Sequence, residues 1–215
     1  KKKLLDPFDK SKGERVDYIT NKKQLLKDNV TDKYNIKRNS RESAAIQEYG
    51  ELTKVDPELV KTLGRDGAKV EAKNALIEEF GAEKANEIIA SDSFFRQQYD
   101  IMLKEVNAIR RKIYPNKPPI PARNDYYRHF NEISGTLEGI KNAFAGPDLI
   151  DPNLVSTSEF TQPLTKYLSF GQKRKGTKTK FDAVSGFLQY LESASHAIHI
   201  DPHVNKFWAF RKSLA

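Results

Sequence analysis

The chain contains no cysteine, which excludes disulfides, thiolate metal sites, iron–sulfur clusters and cysteine nucleophiles. No apolar run approaches the ~18 residues needed to span a bilayer, and no charged-then-apolar leader stands at Lys1 to Phe8. These absences predict a soluble protein and are compatible with a reducing cytoplasm. The only methionine is the internal Met102, so the sequence reads as a fragment or processed product whose ends at Lys1 and Ala215 are not biological termini. No alternating strand pattern and no solenoid-length repeat is visible.

What is present is charge. Hydrophobic residues make up 38% and charged residues 31%, a polar balance that predicts an elongated helical body with much exposed surface. Lys and Arg outnumber Asp and Glu by 37 to 29, giving a formal net charge of +8. That excess favours polyanionic partners, nucleic acid or an acidic protein face, although charge on helical surfaces often serves solvation alone. With 215 residues the chain can bury a core without staples.

Punctuation divides the sequence into helices. Residues Lys10 to Asp28 carry Val16, Ile19, Leu25 and Leu26 in a weakly amphipathic pattern. Asn39 with Glu42 has capping-box spacing ahead of a short helix from Arg41 to about Leu52. Asp56 followed by Pro57 starts the next helix, with Gly64 as its stop. Two more segments, Ala68 to Phe80 and Ala82 to Ala90, end at Gly81 and Ser91. From Asp92 to Ile113, Phe95, Tyr99, Met102, Val106, Ile109 and Ile113 form one stripe on a helix of about six turns. A second stripe, Phe181, Val184, Phe187, Leu188, Leu191, Ala194 and Ile198, marks a helix from Phe181 to Ile200. These should be the two longest helices and should pack together. A helix is also expected at Ser134 to Ala145, a turn-rich loop at Gly146 to Gln162, and a terminal helix after Asp201-Pro202. The expected fold is all-α, with seven to nine helices. Its parts would be an N-terminal region (1–113), a proline/aromatic strap (114–133) and a C-terminal region (134–215), together one cooperative domain.

The strap is the most distinctive stretch. Pro115, Pro118, Pro119 and Pro121 bias it to an extended path and stop the preceding helix near Ile113. Asp125, Tyr126, Tyr127, Arg128, His129 and Phe130 then concentrate charge and aromatic area in six positions. Tyr126, Tyr127, His129 and Phe130 are candidate partner-binding residues; the competing role for the aromatics is to anchor a crossover onto the core.

Gly171 to Lys180 superficially resembles a phosphate-binding loop, but Thr177 occupies the place of the required Lys, and no strand pattern precedes it. The same run carries Lys173, Arg174, Lys175, Lys178 and Lys180 without an acid, so it is a candidate nucleic-acid contact, with Arg123 and Arg128 as secondary candidates. A solvated loop is the alternative. His196, His199 and His203 share helical spacing, yet Pro202 interrupts the helix and no H-E-x-x-H arrangement exists, so no metal is expected. Glu78 with Glu79, and Glu83 with Glu87, sit among lysines as solubility pairs rather than as acid and base. No G-x-S-x-G elbow is present, Pro147-Asp148 lacks the acid-x-Lys of a common nuclease pattern, and neither a cofactor nor a small-molecule substrate is indicated.

Four pieces in order are RESAAIQEYG (41–50), FFRQQYDIMLKEVNAIR (94–110), PIPARNDYYRHF (119–130) and RKGTKTKFDAVSGFLQYLESA (174–194). They resemble a helical region of the large polyvalent proteins of bacteriophages and integrative mobile elements. The resemblance runs from about Lys10 to Phe210. It implies a non-catalytic connector between enzymatic modules, travelling with phage or element DNA, with DNA or other virion proteins as partners. A connector without nucleic-acid contact, and a nuclease or metal-dependent hydrolase, are the alternatives.

Overall fold

The structure, a computed structural model, describes residues 2–122, 127, 130–131 and 179–213. Within them the fold is all-α, as expected. Six α-helices run in chain order: α1 (Lys2–Leu26), α2 (Arg41–Glu51), α3 (Pro57–Phe80), α4 (Ala82–Ile113), α5 (Ala183–His199) and α6 (Asp201–Ser213). The described residues thus hold fewer helices than the seven to nine expected. One reason is that Ser91 does not stop a helix. Its hydroxyl donates to the Glu87 carbonyl one turn back, so the segments on either side fuse into the 32-residue α4. The helix expected at 134–145 and the loop at 146–162 lie outside the described residues.

The start signals act locally, with one shift of register. α2 is capped by Ser40, whose side chain accepts from the Ser43 amide, while Asn39 takes a left-handed φ of 58° and gives its own N–H to Asp182. Asp56 caps α3 ahead of Pro57 as the sequence implies. Gly64, at φ 68° and ψ −179°, is non-helical and interrupts α3 where the sequence places a stop, so α3 is two helical segments joined across a kink, and Gly81, at φ 80°, forms the corner into α4. α1 runs into a π turn at Lys27–Thr31 that buries Val30.

α4 is the spine, packed on α2, α3 and α5, while α1 lies across α5 and α6. The two predicted stripes do meet. Tyr99 stands edge-on to Tyr190 at 4.7 Å between ring centroids, and Phe95 lies 5.5 Å from Phe187. α5, however, is not the second longest helix; α1 exceeds it. α1 keeps only half of its predicted stripe. Ile19 and Leu26 pack in the core while Val16 and Leu25 are exposed, and the inward face also carries Ser11, Arg15, Tyr18 and Lys22. Arg15 donates to Ser195 Oγ at 3.2 Å and to Glu192 at 2.9 Å, and Lys22 donates to Gln98 at 2.9 Å. α1 therefore docks through these polar pairs as well as through Phe8, Ile19 and Leu26, and apolar periodicity does not register the polar part.

Two buried carboxylates stitch the helices together. Asp182 caps α5 and is fully buried; it accepts from Ser43 Oγ at 2.7 Å and the Asn39 amide at 3.0 Å, while its own N–H donates to Gln47. Asp92 accepts from Tyr127 Oη at 2.6 Å, Arg96 Nε at 3.0 Å and Lys69 Nζ at 3.2 Å. Gly50 is the contact that allows this: a Cβ there would stand 2.4 Å from Tyr127 and 2.5 Å from Asp92. A two-residue antiparallel ladder, β1 (Phe130–Asn131) with β2 (Thr179–Lys180), joins the two sides of the 132–178 segment.

Candidate nucleic-acid interface

The end of α4 and the first half of the strap form one polar, basic unit. After Ile113 the chain turns at Tyr114 and runs back along the helix, because prolines deny it helical hydrogen bonds. Asn107 holds it in place: its side-chain amide donates to the Ile120 carbonyl at 2.9 Å, and its carbonyl oxygen accepts the Ile120 N–H at 2.8 Å. Arg110 Nε donates to the Pro118 carbonyl at 3.0 Å. Between helix and strap lies an open cleft of about 480 Å³, whose lining includes Arg110, Arg111, Lys117 and the rings of Pro115, Pro118 and Pro119.

α6 joins this unit through Tyr114, whose hydroxyl meets Asn205 Oδ1 at 3.2 Å. Burial raises the Tyr114 pKa, with the nearby Asp201 carboxylate adding to the effect, so the phenol stays protonated and able to donate. The two segments so joined, 106–122 and 202–213, contain no Asp or Glu. They carry seven cations: Arg110, Arg111, Lys112, Lys117, Lys206, Arg211 and Lys212. Among the described residues none of the seven forms an ion pair. Three of them complement the negative end of the α4 dipole, and the remainder leave a net positive surface. Two cations sit over aromatic rings, Lys117 Nζ at 4.5 Å from the Tyr114 centroid and Arg211 at 5.1 Å from Trp208.

Of the residues singled out in the sequence, Tyr127 has a different place from the partner-facing one expected. It is 2% exposed, packs against Phe95 and Tyr99, and serves as a core anchor. Burial and the Asp92 charge push its pKa well above the ordinary tyrosine value. Lys180 and Phe130 are paired in the backbone ladder, so the ends of the basic run and of the aromatic cluster are brought together. Lys173, Arg174, Lys175, Lys178, Arg123, Arg128, Tyr126 and His129 lie outside the described residues.

The three histidines diverge. His196 Nδ1 is 3.0 Å from Asp201 Oδ1, in close contact without the alignment of a hydrogen bond. The His199 ring lies 5.4 Å from Tyr18, and His203 packs on Phe8 at 5.9 Å. Burial lowers the pKa of both His199 and His203. Among the described residues no group of three or more His, Asp or Glu side chains is placed to hold a metal ion. Nor is any helix there long and apolar enough to cross a membrane.

No family model, curated protein or solved structure matches this chain. The basic surface was only half legible in sequence. Each acid-free stretch can be read off the residues, but their union depends on the Tyr114–Asn205 contact across 91 positions.

Proposed function

We propose that the chain is a non-catalytic helical module of a phage or mobile-element multi-domain protein, which binds nucleic acid by sequence-independent contact with the phosphate backbone. The observation that carries this reading is the pair of acid-free segments joined through Tyr114 and Asn205, where seven cations stand without ion pairs among the described residues. Unpaired cations are free to release counterions from a polyanion, whereas cations already paired to carboxylates must first break those pairs. The basic run Lys173 to Lys180 adds five cations to the sequence without an acid among them. The resemblance to large polyvalent proteins supports the phage or mobile-element setting, in a virion or a host cytoplasm.

The test is a salt titration of DNA binding. Affinity should be indifferent to sequence, and log K should fall linearly with log salt. Replacing Arg111, Lys112 and Lys117 together by Ala should lower the slope by about two to three units, at roughly 0.7 to 0.9 per lost phosphate contact. Lys173, Arg174 and Lys175 to Ala is the companion variant, and equal losses in both would place the backbone across both regions. Absence of any shift at low salt, where surface electrostatics are strongest, would reject nucleic acid and favour docking on an acidic protein face.

A further inference from the structure

Resting on the polyanion reading above, we infer that the nucleic acid taken at this end is single-stranded, with a base stacked on Trp208. Trp208 is the sole tryptophan of the chain, yet it is not a core residue. Its neighbours on α6 show the contrast: Phe207 and His203 both pack on Phe8, at 5.7 and 5.9 Å. Trp208 is only half-buried, and among the described residues it enters no ring–ring contact and its indole N–H has no hydrogen-bond partner. Its spacing of three from Asn205 puts it one turn further along the same side of α6, the side that meets Tyr114. Arg211 lies over the ring and Lys212 follows at a spacing of four, so the indole is flanked by cations within an acid-free segment.

A partly exposed aromatic ring among cations that track a phosphate chain is the arrangement by which proteins hold unpaired bases, because every base offers a π face and the stack is indifferent to sequence. A paired duplex keeps its bases stacked on one another and cannot deliver one to the indole without unpairing. The cleft between α4 and the strap, lined by Arg110, Arg111, Lys117 and three prolines and linked to α6 through the Tyr114–Asn205 contact, gives the backbone a basic path. The ligand class is therefore single-stranded DNA or RNA.

Trp208 is also the reporter. Titration of the protein with oligo(dT), oligo(rU) and a duplex of equal phosphate count, followed by tryptophan fluorescence, should show quenching with the single strands and little with the duplex. W208A should weaken single-strand binding about tenfold while leaving duplex binding and the salt slope unchanged, the loss corresponding to one stacked base. W208F, which keeps a ring, should retain most of the affinity and guards against a folding defect in W208A. Preference for oligo(rU) or oligo(dT) would identify the sugar read at the site, and either supports the proposal. Equal binding of single strands and duplex, unchanged in W208A, would overturn the stacking site and leave the basic-surface reading intact. Absence of binding to all three at low salt would overturn both.

Discussion

The Asn107 side chain pairs with the Ile120 backbone as one strand residue pairs with another, giving and accepting one hydrogen bond at 2.9 and 2.8 Å. A strap rich in proline has few N–H groups of its own, so it is fixed by the helix beneath it. Asn107→Ala removes both bonds and should cost about 1 to 3 kcal/mol, given ~0.5 to 1.5 per bond. Amide exchange at Ile120 and proteolysis within 114–122 should both accelerate, and unchanged protection would show that the prolines alone hold the strap.

Tyr127, Asp92 and Gly50 form a second lock. Tyr127→Phe removes one of three donors to Asp92 and should cost about 1 to 2 kcal/mol. Asp92→Ala leaves the Arg96 and Lys69 cations facing each other without their carboxylate and should cost about 3 to 5 kcal/mol. Gly50→Ala drives a methyl into the Tyr127 ring and should destabilise comparably to overpacking elsewhere, about 1 to 3 kcal/mol. Chemical denaturation ranks the three, and Asp92→Ala milder than Tyr127→Phe would contradict the assignment of the carboxylate as the hub.

Asp182 tests the junction of α2 with α5. It serves as the helix cap while binding Ser43 and Asn39 from the other side of the interface. Asp182→Ala should cost more than the ~1 kcal/mol typical of a lost cap, because Ser43 Oγ and two amides lose a buried acceptor. A double-mutant cycle with Ser43→Ala should return a positive coupling energy; additivity would mean that the contact does not join the helices.

Acid stability follows from His199 and His203. Burial is the main cause that lowers both below the ordinary histidine value of 6.5, so the fold prefers their neutral forms. Their contribution is complete above pH 6.5 and is lost as pH falls below it, because the unfolded chain takes up protons first. Glu42 and Glu79, held below their ordinary 4.5 chiefly by a backbone hydrogen bond and by Lys54 respectively, lose their contributions only at lower pH. Thermal unfolding from pH 7 to 5 should thus show falling stability, and His199→Asn should flatten the fall.

Sequence alone determined the helical class, the α4 stripe from Phe95 to Val106, the α5 stripe from Val184 to Ala194, and the starts at Asp56 and after Asp201. These follow from local physics, since side-chain periodicity, proline geometry and caps act within a few residues. Ser91 and Asn39 misled because a serine can return its hydrogen bond to the preceding turn, and because a cap can move one residue when a distant carboxylate takes the neighbouring amide. What only tertiary structure decided was which polar groups meet. Tyr127 became a buried anchor because Asp92 and Gly50 make room for it, α1 docked through Arg15 and Lys22, and two acid-free segments became one basic surface through Tyr114 and Asn205. Such contacts join residues 35 to 177 positions apart and leave no period in the sequence, since hydrogen bonds and charges select partners by position in space.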